Sequence, residues 1–291
     1  MINLQKLLDD VKCYETVRQP RWPDGVRCPH CGAAHVTKQG HDTTQPARQK
    51  YRCEACHRAF DDLTGTVLAG HHQPLRVWIL CLYFMGLNLS NRQIAQELSL
   101  NPDDVQRMTE QLREGIVVRQ PEPVLAGEVE CDEVYVVAGH KGQPDAVKKG
   151  PERRGQRRYL KGARGRGTLA SEKSPIFAMI QQGGGIVIRM LENVQQATIR
   201  PLIERFITPG TRVYTDEYDI DHRLPDWGFD HRTVCHGREE YARDEDGDGF
   251  HEVHINTAEG FWSLLRSWLR PHRGISQEKL PLYLGFFQVR A

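Results

Sequence analysis

The chain has 291 residues, enough for one large domain or for two or three smaller ones. Its 39 lysines and arginines nearly balance its 38 aspartates and glutamates, which excludes a global basic field, so any nucleic-acid surface must be local. No apolar run reaches the length of a membrane span, and the start MINLQKLLDD lacks the basic-then-apolar pattern of a secretion signal, so a cytoplasmic protein without membrane partners is expected.

The first third of the chain carries two CxxC pairs. A short helix is predicted within residues 1–22; Cys28 and Cys31 then form one pair, and Cys53 and Cys56 form the other. Each CxxC turn places two sulfurs on one side of a loop, and two such turns complete the tetrahedron that Zn²⁺ prefers. The spacing therefore favours a zinc ribbon with one structural Zn²⁺ over the alternative, a redox-active pair. Basic residues around the cysteines leave DNA or another protein open as the ribbon's partner.

Three helices are predicted next, over residues 74–86, 91–98 and 102–113. Ser90 and Asn101 are the candidate N-caps of the second and third helices. Small and apolar residues between these two helices are typical of a helix-turn-helix that binds DNA, and the alternative is a helical hairpin used only for packing. The residues that the third helix would offer to a DNA groove are Gln106, Arg107 and Gln111.

Residues 127–137 are predicted to form a buried strand that carries the first acidic residues of the second half of the chain. The stretch is rich in β-branched and aromatic residues, which predicts a buried strand. Its centre nevertheless holds Glu130, Asp132 and Glu133. Ionised carboxylates are rarely buried without a partner, so a pair of divalent cations is the favoured explanation. The alternative is an edge strand whose acidic side chains face water.

A basic segment follows this strand. Residues 141–166 are dense in lysine and arginine, with glycines between them. The position directly after the acidic strand favours a clamp on the DNA phosphate backbone, and the alternative is a solvated insertion. The residues assigned to DNA binding here are Lys148, Lys149, Arg153, Arg154, Arg157 and Arg158.

The remaining elements have the order of a ribonuclease H architecture. A hairpin over residues 175–191, a helix, a strand ending on Asp216, a further strand and a helix from Asn256 are predicted. The fold class is therefore α/β and multi-domain, with a mixed five-stranded sheet in the C-terminal domain. Because a right-handed crossover joins parallel neighbours, the strand ending on Asp216 should lie beside the strand that carries Asp132.

The helix from Asn256 contributes the last acidic residue. Glu259 stands three residues after Asn256, so it either closes a capping box or serves as a third metal ligand. Arg266 is seven residues further on and projects from nearly the same face, next to any phosphate held there. The apolar stripe of this helix consists of Phe261, Trp262, Leu265, Trp268 and Leu269.

With Asp132, Asp216 and Glu259 in this order, the chain resembles the bacterial DDE-type insertion-sequence transposases, in particular the group with an N-terminal zinc ribbon. The stretches that carry the resemblance are VECDEVYV (129–136), VYTDEY (213–218) and HINTAEGFWSLLR (254–266). The resemblance implies that these three acids are catalytic and that Asn256 occupies the family's asparagine position. Arg266 stands where the family usually has lysine; arginine keeps the charge and binds phosphate bidentately, so activity is expected to survive.

The resemblance also implies domains, cofactors and partners. The domains are an N-terminal helix with zinc ribbon (1–65), a helix-turn-helix (70–120) and a ribonuclease H-like catalytic domain (125–291). Two catalytic Mg²⁺ ions, terminal inverted repeats, target DNA and a homodimer or larger assembly are expected. Two alternatives are a DNA-binding regulator that no longer cuts, against which the three retained acids argue, and a nuclease without strand transfer, which needs no sequence-reading module.

Overall fold

The computed structural model describes residues 8–140, 169, 172–216, 223–234, 242–243, 253–254 and 256–291. The chain divides into two compact units, Met1–Val118 and Arg119–Ala291. Within the described part of the chain, no helix combines the length and apolar character that crossing a membrane requires.

The first unit begins with a helix and a three-stranded antiparallel sheet. These elements are α1 (Asp10–Arg21), β1 (Val36–His41), β2 (Gln49–Cys53) and β3 (Ala59–Asp61), with strand order β1-β2-β3. A small aromatic core holds the sheet: Tyr51 stacks on Phe60 with ring centroids 5.2 Å apart, and Trp22 meets Tyr51 edge-on at 5.6 Å. The sheet with its cysteine turns is the ribbon expected from the sequence.

Asp62 ties α1 to the ribbon. Its carboxylate is fully buried and accepts hydrogen bonds from Nε and Nη2 of Arg18 at 2.8 and 2.6 Å. The backbone N–H of Gln49 (2.7 Å) and the hydroxyl of Tyr51 (3.2 Å) donate to the same carboxylate. A buried carboxylate with this many donors is well satisfied, so it fixes the helix on the sheet.

Three further helices complete the unit: α2 (Leu75–Gly86), α3 (Asn91–Leu98) and α4 (Pro102–Arg119). The capping box at Ser90, with Gln93 as its reciprocal partner, confirms the predicted N-cap of α3. Asn101 Oδ1 accepts from the N–H of Asp103 at 2.9 Å and caps α4. The third helix extends to Arg119 rather than ending at Arg113: it continues through Gly115, whose unfavourable helix propensity is outweighed here.

The second unit is built on a mixed five-stranded sheet. Its strands are β4 (Glu128–Val137), β5 (Lys173–Gln181), β6 (Ile186–Met190), β7 (Arg212–Asp216) and β8 (Asp230–Val234). The strand order is β6-β5-β4-β7-β8, with β4 antiparallel to β5 and parallel to β7. The predicted parallel pairing of β4 with the strand ending on Asp216 is therefore confirmed, and the sheet has the mixed character expected of a ribonuclease H-like domain.

Helices cover the two faces of this sheet. The helical elements in the described part of the unit are α5 (Gln196–Phe206), a 3₁₀ turn (Pro225–Trp227), α6 (Asn256–Leu269) and α7 (Leu280–Arg290); β9 (Ala242–Arg243) and β10 (Val253–His254) form a separate pair. Val129 and Cys131 of β4 lie in one buried cluster with Ile199 and Ile203 of α5. Because side chains alternate along a strand, the intervening acids of β4 face the opposite side, where α6 lies.

The last helix occupies the outer edge of the sheet. β6 is an edge strand, and the side chain of Gln288 in α7 is buried beside it. Gln288 Oε1 accepts from the backbone N–H of Ile188 at 3.0 Å and from Arg189 Nη1 at 3.1 Å. An N–H group that would otherwise remain open at the edge is thereby satisfied.

Candidate functional site

The four cysteines predicted to hold zinc lie together. Their sulfurs are all within 4.8 Å of one another; Cys28 and Cys56 are 3.7 Å apart, and Cys31 and Cys53 are 3.5 Å apart. Sulfurs at about 2.3 Å from a tetrahedral Zn²⁺ would be about 3.8 Å apart. Backbone N–H groups of His30 and Cys56 point at Sγ of Cys28 and Cys53, respectively, at 3.4 and 3.5 Å, as suits thiolate ligands. The cluster fits a four-thiolate zinc site.

Two of the three predicted acids lie on neighbouring parallel strands. Glu130 of β4 pairs with Tyr214 of β7, and Asp132 and Asp216 each lie two residues further along their strands. Asp216 is the last residue of β7. Asp132 lies in the middle of β4, two residues beyond the last pair that this strand forms with β7, so the two acids follow the paired part of the two strands.

The third acid lies close enough to act on the first electrostatically. Glu259 is exposed in the first turn of α6. Burial raises the pKa of Asp132, the charges of Asp216 and Glu259 raise it further, and hydrogen bonds from Trp262 and from the Glu133 N–H oppose the rise. Among the described residues, the three acids are not grouped as tightly as the four cysteines, whose ligand atoms lie within 4.8 Å of one another. The charges of the other two acids nevertheless act on Asp132, and carboxylate oxygens are the ligands that hard divalent cations prefer.

Two hydrogen bonds connect β4 to α6 beside these acids. The buried carboxylate of Glu130 accepts from the backbone N–H of Ala258 at 2.8 Å, and Trp262 Nε1 donates to Asp132 Oδ2 at 2.7 Å. The sequence placed Trp262 in the buried stripe, which is confirmed, and assigned Glu130 no separate role. A buried glutamate needs a donor, and a helix start offers unpaired N–H groups, so the signal for the first contact was present in the sequence.

The remaining predicted residues of α6 are Asn256 and Arg266. Asn256 begins the helix as expected, and its side chain lies outside the described residues. Arg266 is exposed, about two helical turns after Glu259 and on the same side of α6.

The candidate DNA-reading residues of α4 differ in their surroundings. Gln106 and Arg107 are exposed, and their side chains bond to Glu110 (3.0 Å) and Asp104 (3.3 Å) on the same helix. Gln111 instead points inward, where Nε2 donates to the backbone carbonyl of Val67 at 2.6 Å and lies 2.7 Å from Nε2 of His71. The six basic residues assigned to DNA, Lys148, Lys149, Arg153, Arg154, Arg157 and Arg158, lie outside the described residues.

Comparison with known proteins adds three findings. A family model described as an ISXO2-like transposase domain matches residues 124–291, and a transposase zinc-ribbon domain matches residues 8–59. The protein named as uncharacterized in transposable element ISH50 of Halobacterium salinarum is 35% identical over 295 residues, which cover 100% of this chain and 93% of that relative.

Among solved structures, a cryoEM structure of the simian T-cell lymphotropic virus intasome in complex with PP2A regulatory subunit B56 gamma has a TM-score of 0.31. It is 6% identical and covers 72% of this chain and 67% of that chain, a likeness too low to carry an argument. The family matches and the sequence identity to the ISH50 protein show the family of this chain. The chain belongs to the ISXO2-like insertion-sequence transposases that carry an N-terminal zinc ribbon.

Proposed function

We propose that this chain is a working DDE-type transposase, which binds the terminal inverted repeats of its element, cleaves DNA there and joins the 3′-hydroxyl ends to target DNA. The observation that carries the proposal is the placement of Asp132 and Asp216 on neighbouring parallel strands, with Trp262, three residues after Glu259, hydrogen-bonded to Asp132. Asp132 of β4 has its pKa raised by burial and by the charges of Asp216 and Glu259. Such an arrangement is costly for folding and serves metal-dependent phosphoryl transfer.

Asp132, Asp216 and Glu259 would hold two Mg²⁺ ions. The fit is supported by the donor set: three carboxylates, two of them half-buried, whose mutual repulsion a divalent cation relieves. When bound, the ions supply activation of the attacking hydroxyl and stabilisation of the leaving oxygen. The hydrogen bond from Trp262 Nε1 and that from the Glu133 N–H, 2.7 Å each, keep both oxygens of Asp132 oriented.

The chemistry consists of two exchanges at phosphorus. Water attacks the phosphodiester at the end of the element, which releases a 3′-hydroxyl and leaves a 5′-phosphate. That 3′-hydroxyl then attacks a phosphodiester of the target and displaces a target 3′-hydroxyl. Arg266, exposed on the side of α6 that carries Glu259, binds the phosphate bidentately during both steps. Asn256 is assigned to the same site as a supporting residue.

DNA recognition is assigned to the first unit and to the basic segment. Gln106 and Arg107 are exposed on α4 and available to a groove once their bonds within the helix are exchanged. The basic residues of segment 141–166 hold the phosphate backbone. One Zn²⁺ at the four cysteines maintains the ribbon, and the pairing of two element ends requires at least two copies of the chain on DNA.

The substitution Asp132→Asn tests this function. Asparagine keeps the shape of the side chain and removes the charge that the cations need, so cleavage of DNA carrying the element's own flanking repeats should fall by more than about 1000-fold, in line with the loss of a transition-state interaction worth at least about 4 kcal/mol. Binding to the same DNA in a gel-shift assay should stay unchanged. The matched control is Asp24→Asn, an exposed aspartate of the first unit.

The rival function is a regulator that binds DNA without cutting it. It predicts that the unsubstituted chain binds the repeats and releases no cleaved strand at any Mg²⁺ concentration. That result would reject the proposed function. Cleavage by Asp132→Asn at the rate of the unsubstituted chain would also reject it.

A further inference from the structure

Glu130 is a buried acid that the proposed chemistry does not use. It lies in β4 two residues before Asp132 and is 0% exposed. Its Oε2 accepts from the backbone N–H of Ala258 at 2.8 Å. That N–H belongs to the first turn of α6, where N–H groups have no partner within the helix and the helix dipole favours a negative charge. The contact therefore attaches the start of α6 to the strand that bears the first acid.

The location of this contact bears on Glu259. Ala258 directly precedes Glu259 in the chain, so a bond that fixes the Ala258 N–H also fixes the backbone from which the Glu259 side chain projects. Ala258 is itself 0% exposed, which leaves its backbone little room to shift. The distance between Asp132 and Glu259 is thus set in part by a residue that is neither of them.

A second contact joins the same two elements one turn further along α6. The indole of Trp262 is 3% exposed and packs edge-on against Phe261 at 5.4 Å between ring centroids. Its Nε1 donates to Asp132 Oδ2 at 2.7 Å, while the N–H of Glu133 donates to Oδ1 at 2.7 Å. Each oxygen of Asp132 has one donor and keeps further acceptor capacity, so the carboxylate is oriented without being saturated.

We propose that Glu130 and Trp262 are positioning residues, which together set the separation and orientation of Asp132 and Glu259 for cation binding. The proposal rests on the proposed function, because it assumes that those two acids hold cations. Neither positioning residue needs to touch DNA or a cation: Glu130 acts through the start of α6, and Trp262 acts through the carboxylate of Asp132. Partners of this kind commonly change metal affinity by about 10–100-fold when removed.

Trp262→Phe is the first test. Phenylalanine keeps an aromatic ring in the same place and removes the N–H that Asp132 accepts. Titration of the zinc-loaded full chain with Mn²⁺, followed by the EPR signal of free Mn²⁺, should show affinity at the acids weakened by about 10-fold or more. The Mg²⁺ concentration that gives half-maximal cleavage should rise by a similar factor, while gel-shift affinity for repeat DNA stays the same.

The matched control is Trp268→Phe. Trp268 is also buried on α6, but its ring packs on Tyr283 and Phe287 of α7, about two turns from Glu259. This variant should lose thermal stability to a similar degree and keep the Mn²⁺ affinity of the unsubstituted chain. An equal loss of Mn²⁺ affinity in both tryptophan variants would show that general packing, and not the contact with Asp132, controls the site.

Glu130 is tested by a loss and a rescue. Glu130→Ala removes the acceptor of the Ala258 N–H and should weaken Mn²⁺ binding by about 10-fold or more, whereas Glu130→Gln restores an acceptor there and should recover most of the affinity. Glu192→Gln, at an exposed glutamate that follows β6, is the control and should leave the Mn²⁺ affinity unchanged. If Glu130→Ala does not fold, Glu130→Met, which keeps the length of the side chain but lacks a strong acceptor, replaces it and should show the same loss.

The measurements distinguish a failure of the proposed function from a failure of the positioning roles alone. If the unsubstituted chain neither binds Mn²⁺ at Asp132 nor cleaves DNA, the proposed function fails and the positioning roles fail with it. If the unsubstituted chain does both, and Trp262→Phe and Glu130→Ala match it in Mn²⁺ affinity and in Mg²⁺ dependence, only the positioning roles are overturned.

Discussion

At the scale of single residues, the ionised carboxylate of Asp132 lowers the stability of the folded chain. Its pKa is raised, chiefly by burial and further by Asp216 and Glu259. A carboxyl group whose pKa is higher in the folded state than in the unfolded chain is protonated more readily when folded. It therefore costs stability at pH values above its folded pKa, and this cost disappears as the pH falls below the unfolded value of about 3.9.

Asp216→Asn should consequently stabilise the chain when no divalent cation other than zinc is present. Removing the Asp216 charge lowers the pKa of Asp132 and reduces the cost of its ionised form at pH 7. We expect a gain below about 1 kcal/mol, because the acids are partly exposed and screened, which corresponds to a rise in Tm of at most about 4 °C. The gain should vanish near pH 4, and thermal melts at both pH values measure it.

Without Mg²⁺, Asp216→Asn should have the higher Tm; with Mg²⁺, the unsubstituted chain should have the higher Tm. The unsubstituted chain should rise in Tm with Mg²⁺, because a ligand that binds only the folded state stabilises it, and Asp216→Asn should respond little. Asp24→Asn provides the control, since it removes one exposed acid far along the chain from the site. If Asp216→Asn has a lower Tm than the unsubstituted chain in the absence of Mg²⁺, the electrostatic explanation is wrong.

At the scale of elements, the zinc ribbon has only a small apolar core to stabilise it. Its aromatic core consists essentially of Trp22, Tyr51 and Phe60, and every residue of β1 after Val36 is exposed. So small a core rarely outweighs the entropy of ordering the strands, and small domains commonly depend on a metal for that reason. The four thiolates would supply the missing stabilisation.

Cys53→Ser should therefore remove zinc and the order of the ribbon together. We expect the zinc content, measured by mass spectrometry of the native protein, to fall from one ion per chain to none, because three thiolates bind Zn²⁺ far more weakly than four. The near-ultraviolet signal of Trp22 and Tyr51 should flatten at the same time. Cys81→Ala, which alters a buried cysteine of α2, should keep one zinc ion; retention of zinc by Cys53→Ser would contradict the assignment.

At the scale of the whole molecule, the two compact units suggest that reading and cutting are separable. The family matches agree with this division, since the zinc-ribbon match falls in the first unit and the transposase match, residues 124–291, in the second. Each unit also has its own buried clusters. The finer division into ribbon, helix-turn-helix and catalytic domain stays a prediction.

Fragments 1–118 and 119–291 test the separation. The first should bind zinc and prefer repeat DNA over unrelated DNA in gel-shift competition, because the ribbon and the predicted helix-turn-helix lie there. The second should bind Mn²⁺ with the affinity of the full chain and show no preference for the repeats. Repeat preference that resides in fragment 119–291 would contradict the assignment of DNA reading to the first unit.

The elements of this fold were largely predictable from local sequence, whereas the contacts between them were not. The N-caps at Ser90 and Asn101, the strand that carries Asp132 and the start of α6 follow from periodicity and capping chemistry, which act over a few residues. The bond from Trp262 to Asp132 spans 130 residues of sequence, so no local pattern encodes it. Gln111 shows the same limit: helical spacing placed it on a reading face, and a carbonyl from a distant loop engages it.

The Gln288 contact with β6 has a consequence for how the protein behaves in concentrated solution. An outer strand with open backbone groups can recruit a strand from another molecule, and chains with such margins tend to stack into aggregates. Here the final helix supplies an amide oxygen where a foreign strand would have to pair, at the N–H of Ile188. The helix α7 thus opposes intermolecular strand pairing at β6, and loosening of α7 would leave this edge open to other molecules.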